Sequence, residues 1–333
     1  MSVKIGDHRL EYGLMLAPMA GFTDRAMRVL ASRCGCEWAV TEMVSAKATV
    51  YGDKKTAQLA RILPDEGRVA VQIFGSEPDI MARAAEILSR GCGEGYAAPS
   101  AIDINMGCPV HKIFSNGEGS ALMRDPELIH RIVMATVGAT ELPVTVKIRA
   151  GVDRDSMNAV ECALAAEDAG AALVCVHGRT RVEMYSGSVN KEIIKNVKSA
   201  LHIPVIANGD IIDAESALLM LRETGADGIA IGRGAVGNPY IFAEIVAALG
   251  GKQYTPPSMR ERAECALEQL RLALLDKGER VAVPEARKQI ALYLKGFRGA
   301  ASIRAGINTA TSYSEVERII LGALDGGELD ENS

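Results

Sequence analysis

Short, almost wholly apolar runs recur along the chain. They are GLMLAPM from residue 13, WAVTEMV from 38, VAVQIFG from 69, AIDINMG from 101, PVTVKIRAG from 143, LVCVHGRT from 173, PVIANGD from 204 and GIAIGRG from 228. A run that is apolar on both faces suits a parallel strand covered on both sides. Amphipathic stretches lie between the runs, among them DIMARAAEILSR (79–90) and MNAVECALAAEDAG (157–170), the second closing on Gly170 as a helix stop. The runs are spaced about 30 residues apart, the length of a strand–helix unit. This predicts an α/β fold, a (β/α)8 TIM barrel rather than an open doubly wound sheet. After residue 250 the strand signals stop. KQYTPPS reads as a linker, and residues 259 to about 323 read as helices broken at Pro284, Gly296, Gly299 and Gly306. The expected division is a barrel domain over 1–250 and a smaller all-helical domain over 251–333.

The polar positions sharpen this pattern. In a barrel of this kind the site forms at the C-terminal ends of the strands. The first run ends in Pro18-Met19-Ala20, the second in Glu42, and the third contains Gln72. The fourth leads to Asn105 and Cys108, the fifth holds Lys147 and Arg149, and the sixth gives His177 and Arg179. The seventh ends in Asn208-Gly209-Asp210 and the eighth in Gly232-Arg233-Gly234. A buried polar group costs a few kcal/mol unless it has a partner, so polar groups at the same end of eight apolar strands imply a polar ligand. The Gly-rich ends of runs seven and eight, with Arg233, suit a phosphate. The stretch GRGAVG (232–237) also fits a dinucleotide fingerprint, but no strand follows it, which argues against that use. Lys147 alone leaves three readings: a Schiff-base lysine, a cation beside a ring cofactor, or a structural ion pair.

Composition adds limits. The formal net charge is −5, which disfavours a partner gripped by overall positive charge. Locally, EARKQIALYLKGFRGAASIR (285–304) carries Arg287, Lys288, Lys295, Arg298 and Arg304 against Glu285, a basic surface suited to a polyanion. Seven cysteines stand at irregular spacing without a CxxC, so neither a disulfide framework nor a metal site is expected. The first residues show no signal-peptide core and no run is long enough to span a bilayer, so a cytoplasmic monomer is expected.

The segments LAPMAGFTDRAMR, TEMV, VQIFG, DINMGCPVHK, GSALM, VTVKIR, VHGRTR, VIANGDI and GADGIAIGRGAVGNPYIF occur in order from about residue 14 to 243, and ARKQIALYLKG follows. In this order they resemble the tRNA-dihydrouridine synthases. The resemblance implies an FMN-binding barrel, a helical domain that helps grip tRNA, and NADPH or NADH as reductant. It places Pro18, Met19 and Ala20 beneath the flavin, and Gln72, Lys147 and His177 at its ring and ribityl chain. Asn208, Gly209, Asp210, Gly232 and Arg233 would hold its tail and phosphate. Asn105 and Arg179 would meet the substrate, with Arg287, Lys288, Lys295 and Arg298 on the RNA backbone. Cys108 would be the catalytic acid, giving a proton to uracil C5 while hydride passes from flavin N5 to C6. An ordinary cysteine pKa near 8.5 suits that role, and the uridine must leave its stack to reach the site.

Two positions depart from the family pattern. His111 stands where a lysine is frequent, and Glu118 where an alanine is frequent. Both lie on the stretch carrying Cys108, where Gly117 and Gly119 read as freedom for a closing loop. Other readings of the residues remain: a flavin oxidoreductase acting on a free small pyrimidine, a Schiff-base lyase using Lys147, and a non-catalytic RNA-binding protein. The basic helical domain separates the first of these, since a small substrate does not need it.

Overall fold

The computed structural model describes residues 2–295 and 299–325. Eight parallel strands close into a barrel: β1 (Leu14–Leu16), β2 (Trp38–Val40), β3 (Val69–Phe74), β4 (Ala101–Asn105), β5 (Val144–Arg149), β6 (Leu173–His177), β7 (Val205–Asn208) and β8 (Gly228–Ile231). Each pairs with its sequence neighbour, β8 pairs β1, and β2 pairs β3. All eight apolar runs are therefore barrel strands, and helices follow them on the outside. The main core lies between sheet and helices, with Leu14, Val71, Ile102, Val146, Val174 and Ile229 facing outward into it.

The alternate residues face inward. Met15, Ala70, Ala101, Leu173, Ile206 and Ala230 fill the lower barrel together with Val3, Ile5 and Leu10. Those last three come from a two-stranded hairpin, Val3–Ile5 with His8–Leu10, which joins the barrel's inner core. It turns at Gly6-Asp7, where Gly6 takes a left-handed φ of 56° that glycine adopts without strain.

Beyond the helix Ile241–Leu249, an extended stretch leads to four helices: Met259–Lys277, Glu279–Tyr293, Ala300–Thr309 and Tyr313–Asp325. Ser258 opens the first of these through a capping box with Glu261. Two expected breaks are absent. Pro284 lies inside Glu279–Tyr293, near enough to its N-terminus that the lost donor affects a single early turn, and Gly306 lies inside Ala300–Thr309. Gly278, with φ of 74°, is the actual break between the first two helices. Gly299 adopts the left-handed conformation as the N-cap of Ala300–Thr309, and Gly296 lies outside the described residues.

The helical part does not fold against itself alone. Ala26, Val29 and Leu30, from the barrel's first helix Arg25–Arg33, belong to the same apolar cluster as Ala266, Leu270, Ile290 and Tyr293. Polar ties flank this seam: Lys277 to Asp24 at 2.7 Å, Arg33 to Glu268 at 3.0 Å, and Gln289 Nε2 to the Gly21 carbonyl at 3.1 Å.

Candidate active site

Strand parity builds the site. Along a strand every second residue faces the same way, so Asp103 and Asn105 both point into the barrel from β4. The parallel register sets Gln72 beside Asp103, Asn105 beside Lys147, Arg149 beside His177, and His177 beside Asn208. These polar groups crown the apolar lower barrel. All but Asp103 line a cavity of about 1350 Å3 at its C-terminal end.

The crown is cross-bonded. Gln72 donates to Asp103 at 2.7 Å and accepts from Asn105 at 2.8 Å, and Thr145 donates to Asp103 at 2.5 Å. Burial pushes the Asp103 carboxyl up to about 6, against the pull of those donors. Lys147 donates to Asn208 Oδ1 at 3.0 Å, and Asn208 donates to the Ala230 carbonyl at 2.7 Å. Burial lowers the Lys147 pKa. It also lowers that of His177, to about 2, with Lys147, Arg149, Arg179 and Arg233 adding repulsion, so the imidazole is neutral.

Cys108 is 9% exposed and lines the same cavity. Its N–H donates to Asn105 Oδ1 at 2.9 Å, and its carbonyl accepts from the Ser120 hydroxyl at 2.7 Å. Burial raises its pKa, so the thiol keeps its proton. Arg149 reaches back to the Gly107 carbonyl at 2.7 Å and across to the Thr180 and Met184 carbonyls at 3.0 and 3.1 Å, joining the loop after β4 to the loop after β6. At Gly119, where φ is 61°, a Cβ would stand 3.0 Å from Cys108 Cβ, so the glycine permits close packing under the cysteine. Gly117, by contrast, has open space. His111 and Lys112 are exposed; Glu118 is half-buried, which raises its pKa.

At the ends of β7 and β8 the backbone is unusual. Gly209 has φ of 122° and Asp210 φ of 51°. A Cβ on Gly209 would meet Val189 Cγ2 at 2.3 Å and His177 Cδ2 at 3.0 Å, and one on Gly234 would meet the Ile211 carbonyl oxygen at 2.2 Å. Arg179 is almost fully buried. It donates to both Asp210 oxygens at 2.8 Å and to the Ser186 carbonyl at 3.0 Å, while its Nη1 has no hydrogen-bond partner. Arg233 lies 3.9 Å from Asp210 and over the Tyr185 ring at 4.7 Å.

Pro18, Met19, Ala20, Gln72, Asn105, Cys108, Lys147, His177, Arg179, Asn208, Gly209, Asp210, Gly232 and Arg233 thus border one space. The basic stretch divides. Lys295 borders the same cavity. Arg287 donates to the Ala310 carbonyl at 2.7 Å inside the helical part, and Lys288 is exposed outside the cavity lining. Arg298 lies outside the described residues. Among further lining residues, Tyr185, Tyr254, Pro256 and Pro257 carried no signal in the apolar pattern because they sit on connecting segments, and Arg262 because it lies in the first turns of the helix Met259–Lys277. Asp103 did carry one, two positions before Asn105 on the same strand face.

Comparison with known proteins supplies the remaining context. The dihydrouridine synthase family model matches residues 15–324. A tRNA-dihydrouridine synthase B of Pseudomonas aeruginosa is 42% identical over 308 residues, covering 92% of this chain and 91% of the relative. A probable tRNA-dihydrouridine synthase of Rickettsia conorii is 40% identical over 92% of this chain and 91% of its own. Among solved structures, an old yellow enzyme homologue from Zymomonas mobilis aligns with a TM-score of 0.50 at 12% identity, covering 78% of this chain and 95% of its own, a likeness of fold.

Proposed function

The chain belongs to the dihydrouridine synthase family, and from that premise we propose that it reduces the C5=C6 bond of specific uridines in tRNA to 5,6-dihydrouridine. The observation that carries this reading is Cys108 lining the cavity together with Asn105, Lys147 and Arg149.

FMN fits the cavity on the chemistry of its lining. Ala17, Pro18 and Met19 offer an apolar wall; Gln72, Lys147 and Asn208 offer polar groups; the Gly209 and Gly234 positions exclude a Cβ. Main chain free of side chains beside Arg233 suits a phosphate. When bound and reduced by NADPH or NADH, the flavin supplies hydride to uracil C6. Lys147 holds a positive charge beside the ring, an electronic tuning role. Neutral His177 serves as a hydrogen-bonding partner for the cofactor. Asn105 orients the uracil and at the same time fixes the Cys108 amide. Cys108 gives its proton to C5 as general acid. Arg179, buried and clamped by Asp210, holds the loops after β6 and β7 and meets substrate where it borders the cavity.

The helical region from 251 onward, with Lys295 at the cavity, takes the phosphate backbone of the RNA. Lys288 and Arg298 would act farther along it; Arg287 serves chiefly the helical packing. A cytoplasmic location, which action on tRNA favours, and the monomer expected from the sequence complete this proposal. No described helix is long and apolar enough to cross a membrane.

The test is direct. Purified protein supplied with FMN, NADPH and unmodified tRNA should convert uridine to dihydrouridine, read by RNA mass spectrometry as a gain of two hydrogens. Reduction of free uridine at a comparable rate, with tRNA untouched, would favour the small-pyrimidine reading. Protein that takes up no flavin would overturn both.

A further inference from the structure

We propose that Phe114 is a positioning residue for Cys108, clasped by Arg181 and Arg124 so that the loop after β4 stays closed with its thiol in the cavity. The proposal deepens the reaction proposed above and rests on it for its catalytic consequence. The structural part stands separately.

The helix His111–Ser115 has five residues, too few to persist unaided. His111, Lys112 and Ser115 are exposed, and no residue of the helix is fully buried. Only Ile113 and Phe114 are half-buried, so they anchor it. Ile113 faces Gly119: a Cβ on that glycine would lie 3.0 Å from both Ile113 Cγ2 and Cys108 Cβ. The helix is thereby packed against the cysteine's own segment. The Phe114 N–H donates to the Val110 carbonyl at 3.0 Å, two residues beyond Cys108.

Phe114 supplies the tie to the rest of the barrel mouth. Arg181 Cζ lies 3.7 Å from its ring centroid and Arg124 Cζ lies 4.5 Å away. Cations at these distances are attracted by the ring's negative face. Arg181 is itself fixed to the barrel, its N–H donating to the Gly151 carbonyl at 2.9 Å after β5. Its Nε is buried without a hydrogen-bond partner, so its placement follows from stacking and backbone. Arg124 closes the short turn Gly119–Arg124 that begins at Gly119. One aromatic ring therefore joins the segment before Gly119, the turn after it and the loop after β6.

Removing the ring leaves Ile113 as the helix's single anchor. Cys108 then samples orientations away from the cavity, which lowers turnover without removing any group that binds RNA. The experiment uses full-length Phe114→Ala. Alkylation of each cysteine by iodoacetamide is followed by peptide mass mapping, and hydrogen exchange is followed in the peptide across 106–120. Cys108 should react about tenfold faster, as for a local opening, while barrel-interior Cys175 is unchanged. With tRNA, kcat should fall about tenfold at an unaltered KM. Phe114→Trp, which keeps an aromatic face, should restore both.

If Phe114→Ala does not fold, Arg181→Met replaces it, with Cys108 expected to react about threefold faster. Unchanged alkylation and exchange in the variant measured overturns the proposal. So does an equal rise at Cys175, which means general loosening. Faster alkylation, when the unaltered protein forms no dihydrouridine, keeps the clasp and removes the proposed reaction. Normal dihydrouridine formation with unchanged alkylation does the reverse.

Discussion

The barrel mouth and the helical region both present clustered polar residues in the sequence, yet they use them differently. At the mouth, the parallel strands bring Gln72, Asn105, Lys147, His177 and Asn208 to the same end of the barrel, although they are spread over more than a hundred residues. In the helical region, cations within one short stretch diverge: Lys295 reaches the cavity, Arg287 turns inward to Ala310, and Lys288 faces elsewhere. A barrel converts distant sequence positions into one site. A helix spreads neighbouring positions around its axis.

The comparison would break most sharply at Cys108. Replacement by Ala should slow dihydrouridine formation by about 10²- to 10⁴-fold, the range for a lost general acid, while flavin content stays unchanged. Equal turnover in RNA mass spectrometry would return Cys108 to plain packing. Next in size is Gly209→Ala. With φ of 122° and Val189 Cγ2 at 2.3 Å from the new Cβ, it should cost about 1–3 kcal/mol and empty the cofactor site, checked by thermal melting and flavin absorbance.

A pH experiment tests the mouth's electrostatics. The folded His177 pKa, about 2, lies far below the unfolded value near 6.5. The unfolded chain therefore binds the extra proton between those values. His177 should cost stability as pH falls below 6.5, by at most about 1.4 kcal/mol per pH unit. Melting curves of flavin-free protein from pH 7 down to 4 should steepen less in His177→Asn; parallel curves would show the histidine charged or relaxed. Smallest are the helical cations. Lys295→Ala should weaken tRNA binding several-fold and lower its salt dependence by about one unit of slope. Lys288→Ala should change affinity less, and Arg287→Ala should mainly lower the melting temperature. Equal binding losses at all three would erase the contrast.

The same contrast explains what the sequence revealed. The eight strands were legible because parallel strands buried on both faces must be apolar throughout. The strand-end residues were legible because polar groups at the ends of such runs need a purpose. Asp103 escaped notice inside its run, although period-two alternation places it on the face of Asn105. The hairpin Val3–Ile5 with His8–Leu10 was also missed, though Gly6-Asp7 between alternating residues is a turn signal. Pro284 and Gly306 suggest breaks by local propensity alone, but the packing of Val283, Ile290 and Ile307 into the bundle core outweighs it. No composition rule says which way Arg287 turns; that depends on Ala310, at the C-terminal end of the next helix.

The shared seam has a consequence in time. Ala26, Val29 and Leu30 pack into a core whose other members come mostly from residues 259 onward. During synthesis at about 5–20 residues per second, roughly 80 residues must follow the last barrel helix, so for several seconds the nascent barrel shows solvent a greasy strip on its first helix. The nascent chain is most prone to association in that interval.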